Sequence, residues 1–208
     1  MQGTMTYKTL NRFSIKDFND QQGWMQTEDT YPNDYVSWGY WAINSSDSSK
    51  LTTRKNYWVG GTDSDACWAE TYISGLASSA HYFYNGKVIG DVEEGGFRYT
   101  IDSSTSSVQL KFDFGGGTNA LYSDPAYSWI RFSANGKQWD LQPTLTTPTV
   151  TNGAFSDGLT GTVAGATPVT SGAIKGKFYG NAAQAVGGTF TAATAASKVV
   201  GVFKAVQP

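Results

Sequence analysis

The chain has 208 residues, 39% of them hydrophobic and 14% aromatic, so it can bury a sizeable core and is not a disordered polymer. Its 15 Lys and Arg stand against 17 Asp and Glu, a formal charge of -2 with neither sign massed in one run, which argues against nucleic acid as a partner. No stretch approaches the roughly 18 apolar residues of a membrane-spanning helix, Met1–Leu10 lacks the apolar segment of a secretion signal, and Cys67, standing alone, allows neither an intrachain disulfide nor a cysteine-cluster metal site.

The 24 glycines beside 6 prolines signal tight turns and close backbone approaches, as in an all-β chain. The first third holds five of the seven tryptophans, Trp24, Trp38, Trp41, Trp58 and Trp68, between short polar loops. Tyr35–Trp41 reads as a strand with aromatics on both faces, Asn56–Val59 as its partner and Asn44–Lys50 as a solvated serine-rich loop. We read residues 1–78 as a Trp-rich β extension or subdomain and 79–208 as the main domain.

From Ala80 onward, alternation with period two recurs. Val108, Leu110, Phe112 and Phe114 share one face and Gln109, Lys111 and Asp113 the other, the pattern of a strand with one buried and one wet face. Phe97–Asp102 reads as its preceding partner through a Ser103–Ser107 turn. Tyr127–Ser133 and Gln138–Leu141 form a hairpin about Asn135-Gly136, a favoured two-residue turn. Pro143 and Pro148 mark an edge or loop, and a short strand is expected around Gly161–Ala164. Further strands follow at Ala173–Tyr179, Gly188–Ala192 and Lys198–Val206. Between the first two of these, Asn181 is expected to cap one helical turn over Ala182–Ala185 that Gly187 ends in a left-handed conformation. Apolar residues on both faces of the last strand predict that it is covered on each side, or touches something outside the main domain.

The segment Lys175-Gly176-Lys177-Phe178-Tyr179-Gly180-Asn181-Ala182-Ala183-Gln184-Ala185-Val186-Gly187-Gly188-Thr189-Phe190, followed by Val200-Gly201-Val202-Phe203-Lys204-Ala205, resembles the closing motif of the transferrin-binding protein B barrels. Tyr84-Asn85-Gly86-Lys87-Val88-Ile89-Gly90 is similar to the opening strand of the same barrels, and Phe112-Asp113-Phe114 to the family's Asp-Phe strand ending. The resemblance implies a small antiparallel β-barrel of about eight strands, a kinship with factor H binding protein and haemophilin barrels, and a place on the outer surface of, or secreted from, a Gram-negative bacterium. It also implies a role in binding host proteins or haem. Members bind through loops and an N-terminal handle domain, in whose place this chain has its compact Trp-rich region. Gly86, Gly90, Gly176 and Gly201 are expected where crossing strands leave no room for a side chain.

Chemistry finds few footholds. His81 is the only histidine, and no Gly-x-Ser-x-Gly elbow accompanies it, so a catalytic triad has no support and the chain reads as non-enzymatic. A surface imidazole is the plain reading of His81; haem ligation by His81 with Tyr82 or Tyr84 nearby is the specific alternative. Asp63-Ser64-Asp65 with Glu70 lacks the alternating ligands of a calcium loop and reads as a solvated turn, and Glu93-Glu94-Gly95-Gly96 as a hairpin turn. No metal site is expected. Tyr35, Trp38, Tyr40, Trp41, Tyr57 and Trp58 form the aromatic set that would make a recognition face if exposed, and a packing face if covered. The leading functional expectation is a surface domain recognising a host or partner macromolecule; a presentation module in a larger adhesin and a haem or small-ligand barrel are the alternatives.

Overall fold

The computed structural model describes residues 12–16, 22–27, 35–44, 54–61, 80–114, 120–144, 150–180 and 182–208, and of 12–16, 22–27, 41–44, 54 and 80 the backbone alone. Two antiparallel sheets account for nearly all of them. The first has β1 (Arg12–Lys16), β2 (Gln22–Thr27), β3 (Val36–Asn44) and β4 (Arg54–Gly61) in sequential order. The second begins with β5 (Ala80–Glu94), β6 (Phe97–Thr100), β7 (Ser107–Phe114), β8 (Ala120–Leu121), β9 (Trp129–Ala134) and β10 (Lys137–Pro143). It ends with β11 (Ala154–Val163), β12 (Thr167–Pro168), β13 (Ser171–Tyr179), β14 (Ala185–Ala193) and β15 (Ser197–Val206). Among the described residues there is no helix.

The second sheet closes on itself. Its path runs β5, β15, β14, β13, β11, β10, β9, β7 and returns to β5 through the β5–β7 pairing, giving a closed eight-stranded antiparallel barrel, as the resemblance implied. β6, β8 and β12 are short additions to it. The length of β5 makes closure possible. Its first half pairs with β7 from Ala80↔Phe114 to Gly86↔Val108, its second half with β6, and its other edge with β15 over ten residues.

Alternation fills the cylinder. Val108, Leu110, Phe112 and Phe114 point inward and are at most 2% exposed, beside Tyr84, Phe155, Phe178, Phe190, Phe203 and Trp139. Phe112 lies at the centre, with ring centroids 5.5 Å from Tyr84, 5.0 Å from Phe155, 4.9 Å from Phe178 and 5.9 Å from Phe114. Such edge and offset contacts suit ring quadrupoles as well as area burial. Where strands cross closely, no side chain fits: a Cβ on Gly86 would fall 1.8 Å from the Lys204 carbonyl oxygen, and one on Gly90 2.5 Å from that of Val200.

Several expectations need correction. Phe97–Asp102 does not pair with Val108–Phe114; β6 folds back on β5 through Gly95-Gly96, both at positive φ, with Glu94 opposite Phe97. The strand expected at Gly161–Ala164 runs over Ala154–Val163. No helical turn follows Tyr179: Ala183 has φ 51°, Ala185 already pairs with Tyr179 and Val206, and Gly187 lies within β14. Asn181, Pro148 and residues 45–50 lie outside the described residues. The Asn135-Gly136 hairpin forms as expected, with φ 51° and 67°.

β3 and β4 lie against the outside of the barrel over β14 and β15. Val36 packs with Tyr179 and Ala185, and Trp38 with Ile89 and Val202, joined by Val59. The second face of β15 is therefore covered by the small sheet where it holds Val202, and open where Val200 is 55% exposed. Gly187 lets the sheet approach, since a Cβ there would stand 2.7 Å from a Val59 methyl and 3.0 Å from one of Val36.

Candidate functional site

The aromatic set expected as one face is divided by strand alternation. Trp38 is 5% exposed beneath the small sheet, and Tyr57 packs beside it. Tyr40 meets the Tyr57 ring at 5.9 Å, with the Lys55 ammonium 5.1 Å from its own ring. Trp58, on the next position of β4, is half-buried with its indole N–H buried and unbonded. Tyr35, in the bend before β3, is 37% exposed and packs by Gly180, where an added Cβ would meet its ring at 2.7 Å. Trp41 lies opposite Asn56, its side chain outside the described residues. Trp68, Cys67, Asp63, Asp65 and Glu70 lie outside them too.

His81 stands on the outer wall of the barrel, exposed, its Nδ1 2.5 Å from Asp113 Oδ1. Tyr82 and Tyr84 belong to the interior: Tyr82 packs against Phe114, and the buried Tyr84 hydroxyl donates to the Ala183 carbonyl at 2.6 Å. The three side chains therefore do not converge. The outer row beside His81 is less wet than alternation suggested. Lys111 is nearly buried, 3.5 Å from Asp113, with Tyr122 and Tyr127 rings at 3.9 and 4.9 Å from its ammonium. Among the described residues, no three His, Cys, Asp or Glu side chains gather as a metal site would require.

The recessed part of the surface lies elsewhere, along β4. A cavity of about 410 Å³ is lined by Lys55, Asn56 and Tyr57 on one side and by Asp91, Arg98, Thr191, Lys198 and Val200 on the barrel wall. A second, of about 580 Å³, lies over β11, β13 and β14 with Lys175, Lys177 and Ser156 at its sides and Gly187 and Gly188 in its floor. Thr189 lines both, so the two form one groove on the outside of the barrel. Lys55 anchors one end of the groove: its ammonium donates to Thr100 Oγ1 at 2.6 Å and lies 3.6 Å from Asp91. The Tyr57 hydroxyl is buried there beside the Asp91 carboxylate. Burial first, and the Asp91 carboxylate next, push its pKa far above the usual phenol range, so it stays protonated.

With this geometry the chain superimposes on solved structures. It is similar to a vaccine-antigen double mutant of transferrin binding protein B from Haemophilus parasuis Hp5, at TM-score 0.63 and 16% identity over 100% of this chain and 38% of that one. The fold is that of a transferrin-binding protein B barrel. A second match, the isotype 1 transferrin binding protein B from serogroup B Neisseria meningitidis, has TM-score 0.55 and 14% identity, covering 97% of this chain and 36% of that one. A crystal structure described as a surface lipoprotein matches at TM-score 0.52 and 13% identity over 88% of this chain and 81% of that one. The chain thus spans well under half of the transferrin binding proteins B that it resembles. No protein-family model matches the sequence, and no curated protein matches it.

The sequence did not single out the groove of this transferrin-binding protein B-like barrel. Its cations come from β4, β6, β13 and β15, far apart along the chain, and only strand register brings Lys175 opposite Thr189 and Lys198 opposite Glu93. The one legible sign was apolarity on both faces of β15.

Proposed function

We propose that this chain is a non-catalytic binding domain displayed on a bacterial surface, which holds a macromolecular partner, a host protein in the leading case, against the outer wall of its barrel. The observation that carries the reading is the filled interior. Phe112, Phe114, Phe178, Phe190 and Phe203 occupy the space in which a lipocalin-like barrel would take a ligand. The outside instead offers a long groove with polar and charged walls. The resemblance to transferrin binding protein B and to a surface lipoprotein supports both the surface location and the protein partner.

The test is capture from host serum and cell-surface extracts on the immobilised full chain, with free chain as competitor. Saturable retention of one protein, reduced by Val200→Glu in a folded variant, is the expected result. Val200 is open to solvent within the groove, so the change perturbs the wall and not the core. Retention of nothing, together with a haem Soret band that disappears on His81→Ala, would overturn the proposal in favour of a small-ligand barrel.

A further inference from the structure

Sheet edges are attachment points unless they are blunted, and most of the described edges in this chain are. β8 and β12 have two residues each, β6 has four, and β1 carries Arg12 and Lys16 at its ends. β4 differs. It runs for eight residues, pairs among the described residues with β3 alone, and from Asn56 to Gly61 contains neither a charge nor a proline. At about 3.3 Å per residue this leaves an edge roughly 26 Å long.

The groove opens beside the start of that edge. Lys55, Asn56 and Tyr57 all line it although consecutive strand residues point to opposite faces, which places the opening beside the strand, on the side away from β3. The groove is positive in a negative chain. Its walls hold Lys55, Arg98, Lys175, Lys177 and Lys198 against Asp91 and Glu93, five cations to two carboxylates, where the whole chain has 15 to 17.

We infer that this groove is a strand-addition site: an extended, Asp- and Glu-rich segment of a partner protein pairs its backbone with the edge of β4 left unpaired among the described residues and sets its carboxylates against the lysines of the barrel wall. The inference rests on the surface-binding reading and gives its partner a chemistry. Backbone pairing supplies affinity, and the cations select acidic side chains and speed encounter. An anionic glycan would use the same cations but has no amide ladder to offer β4.

The probe is a synthetic decapeptide alternating Glu and Thr, titrated into the full chain while amide exchange is followed in β4. The expected result is saturable binding, slowing of exchange in Asn56–Gly61 by about tenfold or more, and weakening by at least about tenfold for Lys175→Glu/Lys198→Glu. Both lysines are exposed, so the variant keeps its fold. The same peptide N-methylated at alternate amides is expected not to bind. Equal binding of the N-methylated peptide or of a Lys-for-Glu peptide overturns the inference. So does binding of a heparin oligosaccharide but not of the peptide, or full protection of the β4 amides before any peptide is added. Should the acidic peptide fail while serum capture by the chain still saturates, the strand-addition inference falls and the surface-binding proposal stands.

Discussion

Truncating Phe112 to alanine is the sharpest test of a barrel with no room inside. The ring is fully buried and meets four others at 4.9 to 5.9 Å. Losing it forfeits about 2 kcal/mol of transfer free energy. If the surrounding rings hold their places, the void of about 100 Å³ costs roughly another 2.4 kcal/mol at about 24 cal/mol per Å³. The expected loss is therefore about 4 to 5 kcal/mol, a large share of the stability of an ordinary domain. Urea unfolding followed by the fluorescence of the barrel tryptophans Trp129 and Trp139 reads it as a fall in midpoint at unchanged slope. Phe112→Leu, which keeps most of the volume, is expected to lose about 1 to 1.5 kcal/mol and guards against a variant that does not fold. A loss under about 1 kcal/mol for the alanine variant would mean that the cylinder already contains space. It would remove the main support for placing recognition on the outside.

Three further outcomes follow from particular contacts. Gly187→Val directs a side chain at Val59 and Val36 and is expected to lift the small sheet from the barrel, red-shifting Trp38 emission while the barrel keeps its unfolding midpoint. Tyr84→Phe removes the donor to the Ala183 carbonyl and the acceptor of the Gln207 amide, so a loss of about 1 kcal/mol is expected in denaturant unfolding. Hydrogen bonds from Lys137 and then Asn135 hold the Glu94 pKa below its usual 4.5. A lowered carboxylate contributes stability that is complete above the unfolded pKa and lost as pH falls through the folded one. Glu94→Gln is therefore expected to lower the melting temperature at pH 7, and the difference is expected to shrink as the pH falls below 4.5 and the carboxylate takes up its proton; an equal drop at neutral and strongly acid pH would refute the assignment.

The barrel was legible where side-chain chemistry and strand period agree. Val108 to Phe114 alternates cleanly because β7 has the core on one side, and Asn135-Gly136 is one of few pairs that accept two successive positive φ angles. β11 was mostly hidden. Its inward positions run Phe155, Asp157, Leu159, Gly161 and Val163, so a carboxylate bonded to Thr144 and a glycine whose added Cβ would fall 2.0 Å from the Asp140 carbonyl oxygen interrupt the apolar rhythm. The partner of β6 was misread because period two reports faces and not neighbours, and no local signal shows that β5 is long enough to serve three strands. Ala182–Ala185 favours a helix by propensity, yet the pairing of Ala185 with both Tyr179 and Val206 prevails. The aromatic residues were found as a group, but which of them the barrel would cover depended on how β3 lands on β15, which is a tertiary fact.

The pairing of β5 with β15 has a consequence for architecture beyond this domain. Asn85 stands opposite Val206 and β5 begins five residues earlier at Ala80, so the backbone enters and leaves the cylinder at the same rim, roughly 17 Å apart at about 3.3 Å per residue. A barrel entered and left at one rim can be carried within a longer chain without unpicking a single rung of its ladder. Such a domain is a cassette, and its neighbours along a longer polypeptide are free to change while the wall it presents stays the same.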